Sequence, residues 1–281
     1  MPSTFFAVTT LTASGAFVVL PEPTVRSHRA KPYAMVDETL IVDAGLHAGE
    51  DADFYLRKGF RVVGIEANPR LCRRARRRFR ADIAGGRLSI VEGALSDRAG
   101  SADFLLFRSS RFRRRDEWSA LDNHYARRNV EEKQLRYRRI RVETLTFASV
   151  LARYGVPYYA KLDVEGSELP CVRALRDAPE RPRFVSLEVD YLDRARSVAA
   201  LDELVSLGYA RFKVIEQGRH APLSAERSQH EGSPIDYVFT GDSTGPFGED
   251  TAGEWQDADA VRRAYVDRLG ELTWHDLHAA R

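Results

Sequence analysis

Leu40-Ile41-Val42-Asp43-Ala44-Gly45-Leu46-His47-Ala48-Gly49-Glu50 is an apolar run that ends in an acid, followed by two glycines four apart and the opening of a helical pattern. Gly45 lets the chain turn sharply after a strand, and Gly49 lets the next helix approach closely. Glu66 closes the following apolar run, Arg61–Glu66, 21 residues after Gly45. There a carboxylate accepts hydrogen bonds from both hydroxyls of a ribose. A dinucleotide site presents bare amides and a helix N-terminus to a diphosphate, but this helix opens with Glu50, Asp51 and Asp53. Those carboxylates would repel a diphosphate, although they cap a helix equally well. Asp43 suits an ammonium, and S-adenosylmethionine carries both a ribose and an ammonium.

Working outward, short apolar runs alternate with helical stretches. Strands are expected at Leu40–Ala44, Arg61–Glu66, Leu88–Val91, Tyr158–Asp163, Phe184–Val189, Phe212–Glu216 and Ile235–Thr240, with a short extra one at Phe104–Phe107. Helices are expected at Glu50–Lys58, Arg70–Ile83, Thr146–Tyr154, Glu168–Arg176, Leu201–Leu207 and Ala258–Leu269. This alternation predicts an α/β fold, a mostly parallel seven-stranded sheet flanked by helices with right-handed crossovers. Residues 39–281 are read as that domain, and 1–38 as an N-terminal extension. Phe5–Leu11 and Ala16–Leu20 around Ser14-Gly15 read as a β-hairpin rather than a secretion signal, because no cation precedes them and Thr and Ser interrupt the apolar stretch. Arg108–Arg141 is patternless and too long for a simple connection, so it is expected to be an inserted, Arg-rich lid.

The 281 residues carry 43 Lys and Arg against 41 Asp and Glu, a net charge of +2, and are 43% apolar. That is an ordinary globular composition. Two cysteines, Cys72 and Cys171, with no ligand spacing around them argue against a disulfide scaffold or zinc site and for a reducing, cytoplasmic setting. No apolar run is long enough to span a membrane. Residues 108–141 hold 12 cations and five acids, whereas 241–260 hold six acids and no cation. The two are expected to face each other. Only five of the cations are lysines, and a near-neutral chain is a poor match for nucleic-acid backbone, so a nucleic-acid methyltransferase using the basic lid is the lesser alternative.

Four collinear motifs, Asp43–Asp51, Val62–Pro69, Glu92–Asp97 and Tyr159–Glu168 with Ser186–Val189, resemble the S-adenosylmethionine-binding core of the FkbM-type methyltransferases over about residues 39–190. Thr244–Asp250 resembles a segment of one branch of that family. The resemblance implies a class I, Rossmann-like methyltransferase that releases S-adenosylhomocysteine. It implies that Asp43, Gly45 and Gly49, with His47 and Glu50, form the methionine-side loop and that Glu66 binds the ribose. Ala67 and Asn68 would flank the adenine, and Ala94, Leu95 and Ser96 would border its other face. His47 stands where many such enzymes have a middle glycine, so either the loop opens, the imidazole faces the site, or the histidine fills the turn.

Ligands of an open parallel sheet bind at the carboxyl ends of its strands, which gathers Asp163, Glu165 and Glu188 into the crevice of Gly45 and Glu66. In-line methyl transfer needs orientation above all, and an alcohol acceptor also needs a base. Asp163 or Glu165 is the expected base, with Lys161 next if burial lowers its pKa. A Lys161–Glu165 ion pair is the structural alternative. Glu188 is placed on the substrate side with Trp118 and Tyr125 of the lid. Asp163, Glu188 and Asp190 could hold Mg²⁺, but nothing in the spacing demands it and a metal is not expected. The expected acceptor is the hydroxyl of a small molecule, sugar or natural-product intermediate, with a homodimer possible. A nicotinamide-dependent oxidoreductase lacks a Ser/Tyr/Lys set, and a non-catalytic nucleoside-binding module is the alternative from another class.

Overall fold

Strand β1 (Val36–Ala44) is buried from Leu40 to Ala44, and its side chains alternate between two cores. Leu40, Val42 and Ala44 face one, Ile41 the other. A strand covered on both faces reads as a continuous apolar run, as the opening stretch does. The computed structural model describes residues 35–107, 118–189, 193–217, 220–240, 243–268 and 275–281. The expected N-terminal hairpin, residues 108–117 of the expected lid, and Asp190 lie outside them.

After β1 come α1 (Glu50–Arg57), β2 (Arg61–Glu66), α2 (Pro69–Arg78), α3 (Arg80–Ala84) and β3 (Leu88–Glu92). Asn68 caps α2 by accepting from the Arg70 amide, and Pro69 starts it, a favourable pairing at a helix N-terminus. The single helix expected over Arg70–Ile83 is broken at Phe79, whose buried ring packs under Gly49. Farther along are α5 (Phe147–Tyr154), β8 (Val156–Leu162), α6 (Glu168–Ala174), β9 (Phe184–Glu188), α7 (Arg194–Ser206), β10 (Arg211–Glu216), α8 (Ala258–Arg268) and β11 (His275–Ala280). The main sheet runs β10-β11-β9-β8-β1-β2-β3. It is mixed: β11 is antiparallel to both neighbours, and the other pairs are parallel.

The seventh strand is therefore β11, not Ile235–Thr240. That segment makes one isolated bridge, Tyr237 to Leu223, and Tyr237 and Phe239 pack on the Phe54 ring of α1. Its alternation is real, because Val238 between them is 74% exposed. It serves a strap over a helix rather than a place in the sheet. The segment that follows the strap is locked by Lys58, whose ammonium lies 2.8 Å from Asp250 with both side chains fully buried, and by Phe247 stacked on Tyr159 at 4.4 Å. Helices α5 to α8 cover the opposite face through Val150, Leu151, Val172, Leu201, Leu204 and Val261.

Residues 94–145 build a second sheet in the order β4-β7-β5-β6, from β4 (Ala94–Leu95), β5 (Gly100–Phe107), β6 (Ala120–Leu121) and β7 (Tyr137–Leu145). Between β6 and β7 lies α4 (His124–Lys133), capped by Asn123. The described part of the stretch read as patternless thus has regular structure. Among the described residues no helix is long and apolar enough to cross a membrane.

Candidate active site

The turn after β1 is made by Gly45 and Gly49, at φ +90° and +84°. The amides of Gly45 and Leu46 both reach the Ile65 carbonyl at 3.0 Å, tying the turn to the end of β2. A Cβ on Gly45 would sit 1.9 Å from the Asp163 carbonyl oxygen, so only glycine lets the turn close on the end of β8. A Cβ on Gly49 would meet the Phe79 ring at 2.3 Å. Gly49 therefore serves packing and is not on the cavity wall. His47 also has left-handed backbone, φ +50°, a conformation that favours glycine. The loop keeps its turn: the His47 amide donates to Glu66 Oε2 at 2.9 Å, and Nδ1 lies 3.3 Å from Glu50. Burial would raise the Glu50 carboxyl, but the His47 ring outweighs it and holds it below the usual range.

Glu66, at the end of β2, accepts from His47 and, on Oε1, from the Asn68 amide at 2.6 Å. A carboxylate has about four acceptor positions, so capacity for two more donors remains on a group that faces the cavity. Burial pushes its pKa up to about 7 against the pull of those amides. Ala67, Ala94 and Leu95 line the same cavity. Asn68 and Ser96 do not: Asn68 caps α2, and the Ser96 hydroxyl bonds Asp97.

Beneath the turn, the buried Lys161 ammonium lies 3.4 Å from Asp43, 3.3 Å from Asp51 and 3.3 Å from Asp163, and donates to the Gly45 carbonyl. Burial alone would lower its pKa, but Asp43, Asp163 and Asp51 together hold it well above the ordinary value. Lys161 is thus a charged tie between three elements rather than a base, and its partners do not include Glu165. Asp43 is fully buried and off the cavity wall. Burial lifts its carboxyl to about 7 despite Lys161. Asp51 lines the cavity instead, and takes the Ser243 hydroxyl and the Thr244 amide.

The turn after β8 carries Asp163, whose side chain is 26% exposed, and Glu165, at φ +53°. Glu168 holds this turn by accepting from the Val164 and Gly166 amides at 3.0 Å. Glu188 ends β9 beside them, and one carboxylate oxygen from each of Asp163, Glu165 and Glu188 lies within 4.8 Å of the others. Burial first, then mutual repulsion, lifts Glu165 and Glu188 well above the usual carboxylate range. Asn123 joins the second sheet to this turn by donating to the Glu165 carbonyl at 3.0 Å.

The far wall comes from residues 118–133. Trp118 lies under the Lys133 ammonium at 4.0 Å, and Tyr125 lies under Arg128 at 5.5 Å. Together the walls enclose about 420 Å³, within the size range of small-molecule sites. Trp118, Tyr125 and Glu188, expected on the substrate side, all line it. Arg128, Asn129 and Lys133 were missed, although their spacing from Tyr125 is that of one helix face.

With this geometry described, residues 43–211 match the methyltransferase FkbM domain. The chain belongs to the FkbM methyltransferase family. No curated protein sequence matches it. Solved structures similar to this FkbM-family chain include precorrin-6y C5,15-methyltransferase from Geobacter metallireducens, at 10% identity over 89% of this chain and 83% of that one, TM-score 0.38. A SAM-dependent O-methyltransferase from Thermotoga maritima aligns at 12% identity over 98% and 77%, TM-score 0.38.

Membership in the FkbM family implies S-adenosylmethionine, and the residues present fit it. Glu66 has acceptor capacity left for a hydroxyl pair, and the turn Gly45–His47 lines the same cavity. The oxidoreductase alternative falls with the family assignment.

Proposed function

We propose that this FkbM-family chain is an O-methyltransferase that acts on a hydroxyl group of a small molecule. The observation that carries the reading is that Asp163, tied to the Lys161 ammonium at 3.3 Å, opens into the same cavity as the ribose-type carboxylate Glu66. When bound, S-adenosylmethionine supplies a methyl group on a positively charged sulfur. Gly45, His47 and Glu66 hold the nucleoside side, and Trp118 and Tyr125 wall the acceptor side. Asp163 takes the hydroxyl proton as the new C–O bond forms, and the Lys161 charge keeps that carboxylate oriented. Arg128 and Lys133 favour an acceptor that carries anionic or strongly polar oxygen.

The test is calorimetric titration with S-adenosylhomocysteine together with turnover on a panel of hydroxylated acceptors. The wild type is expected to bind the product and to methylate at least one member at oxygen. Asp163→Asn is expected to lose about 10²–10⁴-fold in turnover while product affinity stays within a few fold. A fully active Asp163→Asn enzyme would remove Asp163 from the role of base. Product binding without turnover on any acceptor would favour the non-catalytic alternative.

A further inference from the structure

Among the described residues, the strand ends bring together more carboxylates than cations. Asp43, Asp51 and Asp163 share Lys161, and Glu168 is satisfied by two amides. Among the described residues, no cation forms an ion pair with Glu165 or Glu188. The cation whose field reaches them is Lys133, and it sits on the Trp118 ring. Glu165 is 8% exposed, and its Oε2 is buried with no hydrogen-bond partner among the described residues. Tyr125 of α4 and Glu165 line the same cavity. A buried, ionisable oxygen left without a donor is costly unless something positive meets it.

The geometry supplies the shape of what would meet it. The oxygens offered by Asp163, Glu165 and Glu188 lie within 4.8 Å of one another. Around a six-coordinate hard dication, with metal–oxygen distances of about 2.1 Å for Mg²⁺ and about 2.4 Å for Ca²⁺, ligand oxygens stand about 3 to 5 Å apart. All three are carboxylates, the donor type of hard cations, and among the described residues no histidine or cysteine joins the cluster. The site opens on the cavity, so the remaining coordination positions face the acceptor.

We propose that Asp163, Glu165 and Glu188 hold a divalent hard cation of the Mg²⁺ or Mn²⁺ type, and that this ion presents an acceptor carrying two adjacent oxygens, such as a vicinal diol or a hydroxyl beside a carbonyl. The proposal revises the expectation of a metal-free site. It rests on the O-methyltransferase reading for the acceptor, though not for the ion. A hydroxyl on such an ion is more acidic than one in water. Its proton then leaves to water in the cavity rather than to Asp163, because one Asp163 oxygen is on the ion and Oδ2 is paired with Lys161.

The test uses the full chain with Mn²⁺ alone, followed by electron paramagnetic resonance and by thermal melting, with S-adenosylhomocysteine titrated in parallel. One Mn²⁺ per chain is expected, displaced by excess Mg²⁺ and raising the melting temperature, as a ligand of the native state must. Glu165→Gln and Glu188→Gln are each expected to weaken Mn²⁺ binding at least tenfold and to abolish the Mn²⁺-induced melting shift. Because each variant removes a repelling charge, it should melt at or above the metal-free wild type, which shows that the fold is kept. Product affinity of both should stay within about threefold. No Mn²⁺ binding at millimolar concentration, or equal binding in wild type and both variants, overturns the cation site whatever the product titration shows. Loss of product binding in the wild type strikes instead at the methyltransferase reading, and leaves the Mn²⁺ result to stand by itself.

Discussion

The two walls of the cavity are built on opposite plans. The wall proposed for the nucleoside is backbone: Gly45 turns, the His47 and Asn68 amides grip Glu66, and the pieces come from two consecutive strand ends, β1 and β2. The wall proposed for the acceptor is side chains, with Trp118 from before β6, Tyr125 and Lys133 from α4, Asp163 and Glu165 after β8, and Glu188 at the end of β9. Backbone geometry admits few substitutions, while a side-chain wall can change its contents without changing the fold. Such a plan suits one fixed cofactor and a variable acceptor.

The sharpest way to break this comparison is Gly45→Ala. The new Cβ would overlap the Asp163 carbonyl at 1.9 Å from a backbone at φ +90°, so both walls should fail at once. A stability loss of at least about 3 kcal/mol in denaturant unfolding is expected, with product binding lost as well. A stable, product-binding variant would mean that the turn does not govern the two strand ends together.

A second test isolates the nucleoside wall by pH. Glu66 must be ionised to accept from ribose hydroxyls, and its folded pKa is about 7 before ligand arrives. Hydroxyl donors favour the charged form, so product affinity should be flat above pH 8 and fall about tenfold per unit below pH 7. Glu66→Gln should be weaker at high pH and lack the slope. An identical slope in the variant assigns the proton to another group.

The smallest effect is expected at the acceptor wall. Trp118→Ala removes a ring and the seat of Lys133. A three- to tenfold rise in acceptor KM is expected, with product affinity unchanged, on the order of 1 kcal/mol for a lost aromatic contact. A matching loss of product affinity would show that Trp118 belongs to both walls.

The nucleoside wall was the more legible because its information is local. The run Leu40–Ala44, the glycines and the carboxylate 21 residues on specify their own geometry, and the fold delivers it. His47 shows the limit: its identity leaves open whether the loop opens, the imidazole faces the site or the histidine fills the turn, and the structure gives it left-handed backbone with the side chain beside Glu50. Asp43 and Lys161 show it more strongly. Type and position pointed Asp43 at a ligand, and Lys161 was a candidate base. Three carboxylates from β1, α1 and the end of β8 converge on that ammonium and fix its charge, and no local spacing reports such a meeting.

Strand β11 and the strap Ile235–Thr240 exchange roles for the same reason. His275-Asp276-Leu277-His278-Ala279-Ala280 has weak strand character, yet all six residues are buried between β9 and β10 because the open slot pairs its backbone from both sides. Ile235–Thr240 has the better pattern and no slot. What could be read from the chain alone was the α/β alternation, the glycine turn after the first strand and the acids at the strand ends, since periodicity and glycine spacing act over a few residues. Only the tertiary structure decided which strand completes the sheet, which acid Lys161 neutralises and which carboxylates are left facing one another in the cavity. Those outcomes depend on burial and on charges brought together from distant parts of the chain.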